Sequence, residues 1–156
     1  MKLEKRFSNQ NLLHVDHGET KRMVGDYFIR LETLRWQWSK LNAQKGLKVT
    51  NYDFTKEYSK QPYLSIGKDI FSIAQRELTE DELKKHLAGF QFAKSILTDT
   101  EQLYLMEYFI NHKYEDEIID LLGFHTSDSL EFKRLKRSAV YKFADFLNLV
   151  VEKKAA

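Results

Sequence analysis

Between Glu131 and Asp145 the chain carries five cations, Lys133, Arg134, Lys136, Arg137 and Lys142, and no acid. Clustered ammonium and guanidinium groups suit phosphate and base edges: lysines neutralise backbone charge, and arginine forks bind guanine in the major groove. On a helical wheel of about 100° per residue, Phe132, Leu135, Ala139, Phe143, Phe146 and Val150 form one apolar stripe. Arg134, Arg137 and Tyr141 point away from it, Lys133 lies on a flank, and Lys136 lies nearer the stripe's edge. Most charge runs are only solvated faces, but such faces usually mix in acids. The spacing therefore predicts a duplex-contacting helix through Lys133, Arg134, Lys136, Arg137 and Tyr141. Thr126, Ser127 and Ser129, at the approach to the helix, are expected to assist.

Such a helix must be held at a fixed angle. Upstream, Thr98-Asp99-Thr100-Glu101 is a capping box that opens one helix, expected to end at Asn111-His112-Lys113. Tyr114-Glu115-Asp116-Glu117 then opens a short helix with Ile118, Leu121 and Leu122 inward and Ile119 beside them. Gly123 closes it. The last helix is expected to start near Ser127 or Asp128 and to run to about Glu152. Two helices joined by a glycine turn make a helix-turn-helix.

Residues 97–147 resemble the helix-turn-helix of region 4 of the sigma-70 family. Leu97 with Glu101 resembles the start of its first helix. Glu117, Ile118, Leu122 and Gly123 resemble its second, and Ala139-Val140 the end of its recognition helix. The interval from Gly123 to Ala139 is longer than in such units, so either the turn is longer or the recognition helix starts earlier. In outline the chain is similar to phage transcriptional regulators of the ArpU and RinA type. The resemblance implies sequence-specific binding of double-stranded DNA at a phage promoter and activation of late genes.

The rest of the chain reads as helical support. Residues 1–17 are polar and aperiodic, an expected flexible arm. His14, Asp16, His17 and Glu19 fall short of a metal-ligand set there, and no metal is expected. From about Glu19 to Gln44, Met23, Tyr27, Leu31, Leu34, Trp38 and Leu41 mark one stripe, with Gly46 at the helix end. That stripe needs a partner helix in this chain or in another copy. Residues 46–62 lose the period. Packing of Tyr52, Phe54 and Tyr58 is the expected role there, ahead of stacking on nucleic acid. Helical period returns over 65–97, where Thr79-Glu80-Asp81-Glu82 is a second capping box that starts a new helix or interrupts an old one.

The expected architecture is all-α: a long N-terminal helical hairpin over 18–97, serving oligomerisation, followed by a three-helix helix-turn-helix domain over 98–156. A homo-oligomer, such as a dimer, is the expected assembly.

Composition narrows the classes. The 156 residues include six Gly, one Pro and no Cys, which disfavours an all-β fold and removes thiol chemistry. A cytoplasmic home is compatible with this. No run approaches the roughly 18 apolar residues of a membrane span, and no leader is expected at the N-terminus. No glycine-rich phosphate loop, G-x-S-x-G or H-E-x-x-H is present, so neither catalysis nor a cofactor is expected.

Charge is uneven along the chain: +5 over 1–97, −6 over 98–123 and +3 over 124–156. Glu115, Asp116, Glu117 and Asp120 would oppose a phosphate backbone, so they are expected to face away from DNA. Helix-dipole complementarity accounts for them most simply; contact with host RNA polymerase is the functional alternative. Two rivals stand beside the regulator: a small terminase-like DNA-packaging subunit, and a helical protein-interaction module that binds no nucleic acid.

Overall fold

The computed structural model describes residues 13–46, 70–71, 77–126 and 129–154. The protein is all-α. Helix α1 spans His17–Gln44, α2 Glu80–Ser95, α3 Asp99–Leu105, α4 Glu115–Leu122 and α5 Leu130–Phe146. A π-helical turn, Met106–Ile110, continues α3. The 46–62 connection lies outside the described residues apart from Gly46, whose φ of 73° fits the glycine expected at the end of α1.

Local signals set most of the helix starts. Both capping boxes form: the Thr79 hydroxyl accepts from the Glu82 amide, the Thr98 hydroxyl accepts from the Glu101 amide, and each glutamate accepts from its threonine's amide in return. Each such cap stabilises its helix by about 1 kcal/mol. At α1 the cap is Asp16, whose carboxylate accepts from the Glu19 amide at 3.0 Å. Glu19 in turn pairs with Arg22.

Burial of apolar faces then assembles the helices. α1 packs against both α2 and α5, and α5 also against α3 and α2. Phe28 of α1 sits at the junction. Its ring stacks on Phe109 of the π turn at 5.1 Å and on Phe143 of α5 at 5.2 Å, and meets Phe90 of α2 edge-on at 5.9 Å. Val24, Tyr27, Leu31 and Leu34 are buried in the same core as Ile118, Phe132 and Ala139. The described residues on either side of position 97 thus share one core. The stripe on α1 finds its partners within the chain. It leaves Ile29 and Trp36 exposed.

Three expectations of local structure change. Residues 13–17, expected in a flexible arm, are in place: Val15 is buried and forms an antiparallel bridge with Glu152. The last helix ends at Phe146, short of Glu152, because Asn148 adopts φ 60°. Its amide donates to the Asp145 carbonyl, and the Leu149 amide donates to the Ala144 carbonyl at 2.7 Å. That is a Schellman end with asparagine in the left-handed position. Leu121, expected inward, is exposed, while its neighbours Ile118 and Ile119 are buried. Among the described residues no helix is long and apolar enough to cross a membrane.

Candidate nucleic-acid interface

α4 ends in the same way as α5, with glycine in place of asparagine. Gly123 has φ 78°, the Phe124 amide donates to the Ile119 carbonyl at 3.1 Å, and Phe124 packs on Phe132 of α5 with ring centroids 5.5 Å apart. Only glycine adopts that φ without steric cost. The turn is therefore fixed at its exit, and the Phe124–Phe132 contact ties it to the first turn of α5.

α5 begins later than Ser127 or Asp128. Ser129 is the N-cap, its hydroxyl accepting from the Phe132 amide at 3.1 Å. Ser127 lies outside the described residues. Thr126 is exposed, and its carbonyl accepts from the Ser129 amide. The Ser129 hydroxyl is occupied by capping, so it offers a groove less than its position suggested.

The cations divide sharply. Lys133, Arg134 and Arg137 are exposed and have no ion-pair partner among the described residues. With Leu130 they form a solvent-facing strip along the first half of the helix. Lys136 is engaged: its Nζ lies 3.1 and 3.2 Å from the two Glu115 oxygens and 5.1 Å from the Phe132 ring centroid. Glu115, first residue of α4, also lies 3.7 Å from Lys21 of α1. It therefore turns toward the basic helix, contrary to the expectation for the acidic segment, because two lysines and the positive end of α4 surround it. Asp116, Glu117 and Asp120 are exposed.

Tyr141 is buried at 9% exposure, where the wheel put it outward. The wheel measures direction from one apolar stripe only. Around the second half of α5, the helices α1 and α2 and the chain after Phe146 close in. Val140, Tyr141 and Ala144 are buried there along with Ala139 and Phe143. Tyr141 is removed from the contact set.

One acid in this region had no functional reading from sequence. Glu101, legible as the acid of a capping box, is also a buried carboxylate at 3% exposure. It accepts from the Ser138 hydroxyl, from Lys142 Nζ at 2.9 Å and from the Thr98 amide at 3.0 Å. Burial alone would push its pKa up. The hydrogen bonds from Ser138, Thr98 and Lys142 outweigh that and hold it below the usual carboxylate range. This cluster clamps α3 to α5 and fixes the helix whose other half presents the arginines.

Comparison with family models, with curated proteins and with solved structures returns no match to this chain.

Proposed function

We propose that the protein binds double-stranded DNA through the first half of α5 and acts as a transcriptional regulator, a binding protein and not a catalyst. The observation that carries this reading is the strip of Lys133, Arg134 and Arg137. These three cations stand in solvent with no ion-pair partner among the described residues, on a helix anchored at its other end, beyond a turn held by Gly123. A helix fixed in this way can enter a major groove with its free cations against bases and phosphates. Thr126, exposed beside the start of the helix, would meet backbone phosphate in this reading. The resemblance to sigma region 4 supports the narrower reading of a phage promoter regulator, with the exposed Asp116, Glu117 and Asp120 offered to RNA polymerase.

The test is a salt titration of binding to duplexes selected from a phage-genomic pool. Wild-type affinity should fall steeply with salt. Arg134→Ala with Arg137→Ala should weaken binding and reduce the salt slope by about two, one for each phosphate no longer neutralised, with the fold intact. Equal affinity and slope in the double variant would refute the reading.

A second reading has one observation of its own. Leu130 is 61% and Leu121 54% exposed. Apolar side chains on the surface of α4 and α5 favour a protein partner, as in an interaction module without nucleic acid. Failure of any duplex to bind, with Leu130→Ser abolishing capture of a protein partner, would select it.

A further inference from the structure

Beside the exposed strip of α5 lies a pocket of about 300 Å³, formed where the first turn of α1 meets α5. Gly18 and Lys21 of α1 line it from one side, and Lys133, Lys136 and Arg137 of α5 from the other. Tyr104 of α3 completes it. Three features of this pocket point to the same ligand chemistry. The first turn of a 28-residue helix borders it, with the positive end of that helix's dipole. The Gly18 amide donates to no acceptor among the described residues. The four cations exceed the two nearby carboxylates: Glu115, 3.7 Å from Lys21 and 3.1 Å from Lys136, and the N-cap Asp16 beside Gly18.

The deciding feature is Tyr104. Its side chain is fully buried, its ring held by Tyr108 at 5.6 Å and Phe132 at 6.0 Å, yet its hydroxyl has no hydrogen-bond partner among the described residues. A buried hydroxyl left unpaired costs about 1–3 kcal/mol, so native proteins rarely leave one without a reason. Burial, with smaller contributions from the charge of Glu115 and from Tyr108, raises its pKa above the ordinary phenol value. It is therefore a neutral O–H, a donor. Tyr104 lines the pocket together with Lys21 and Lys136.

We propose that this pocket is a phosphate-binding site in which the Tyr104 hydroxyl, the Gly18 amide, Lys133 and Arg137 hold the oxyanion. A helix N-terminus, a buried neutral donor and mobile cations together match a tetrahedral anion. Lys21 and Lys136 exchange part of their bond to Glu115 for the ligand. The phosphate is carried either by a duplex backbone or by inorganic phosphate or a small phosphomonoester. The duplex source rests on the DNA-binding reading above; the site itself does not.

The experiment is a titration of the full chain with inorganic phosphate, exchanged for chloride at constant ionic strength. The Gly18 amide is followed by ¹⁵N–¹H correlation spectra. A saturable shift is expected. Tyr104→Phe should weaken it about tenfold, the loss of one hydrogen bond to a charged group, and in phosphate-free buffer the same variant should melt no lower than wild type. Arg137→Gln, an exposed change that leaves the core alone, should weaken it by a similar factor. A shift that never saturates, or an unchanged midpoint in Tyr104→Phe, overturns the site whatever a duplex does. A short duplex run in parallel separates the sources. If Tyr104→Phe weakens duplex binding and phosphate competes with it, the backbone is the source. If phosphate saturates while duplex affinity is the same in both proteins, the ligand is free phosphate. If wild type binds no duplex but saturates with phosphate, the DNA reading falls and the site stands.

Discussion

In the first half of α5, Lys133, Arg134 and Arg137 stand in solvent with no ion-pair partner among the described residues. In the second half, Lys142 ends on the buried carboxylate of Glu101 and Tyr141 is packed away. The residue types turn from cationic to apolar along the helix, and what surrounds them changes as well. Along the first half, Phe132 meets Tyr104 of α3 and Phe124 of the turn, and Lys136 meets Glu115 of α4. At the second half α1, α2 and the returning chain close around it. A cation's role in this helix is thus set by which elements reach it. One half is built to stay put and the other to stay available.

That contrast can be attacked from its fixed end first. Phe143→Ala should cost about 3–5 kcal/mol, because the ring is 1% exposed and touches Tyr27, Phe28 and Phe90 together. Chemical denaturation should show it. A loss below about 1 kcal/mol, the scale of an ordinary surface change, would mean that the second half is no anchor.

Glu101→Gln comes next, at about 1–3 kcal/mol, since it removes the buried carboxylate that accepts from Ser138, Thr98 and the part-buried Lys142. This carboxylate also sets an acid response. The folded pKa of Glu101 lies below its unfolded value, so its contribution is complete above the unfolded carboxylate range. It is lost as pH falls through the folded value. Wild type should therefore lose stability on acidification more steeply than Glu101→Gln, and parallel curves would remove the clamp from the account.

Lys136→Met stands between the two halves. Its ion pair with Glu115 is part-buried, with side chains 23% and 27% exposed. A cost of about 1 kcal/mol or less is expected once solvent screening is allowed for, readable as a small shift in thermal midpoint. The smallest effect belongs to the exposed strip. Arg134→Ala with Arg137→Ala should leave stability within about 0.5 kcal/mol while changing duplex binding most. Should that variant unfold, or Phe143→Ala leave stability intact, the division of α5 would be reversed.

What could be read from the chain without a structure follows the reach of each signal. Thr79, Thr98 and Gly123 act within a few residues of themselves, and all three mark helix ends as expected. Phe132, Ala139 and Phe143 were legible as a stripe because a helix repeats its own geometry. Asn148 was a missed local signal: a short polar residue inside Phe146-Leu147-Asn148-Leu149, able to take a left-handed φ. The pairings Lys142–Glu101 and Lys136–Glu115 join residues 41 and 21 positions apart, and no periodicity encodes them. Tyr141 failed for the same reason, since its burial depends on elements other than its own. The single core uniting α1 with α5 was equally hidden. A stripe on a helix states that it needs a cover but not which cover.

The bridge between Val15 and Glu152 has a kinetic consequence. Thr20 and Val151, 131 positions apart, exchange hydrogen bonds there: the Val151 amide donates to the Thr20 hydroxyl at 3.0 Å, and the hydroxyl donates to the Val151 carbonyl. Contacts so distant in sequence carry a large loop-closure entropy until the intervening helices have shortened the gap. This clasp should therefore form after the helices dock and be among the first contacts to open. Amide exchange at Asp16, Val151 and Lys153 should outpace that of the α1–α5 core. Thr20→Val should speed unfolding while leaving the folding rate nearly unchanged.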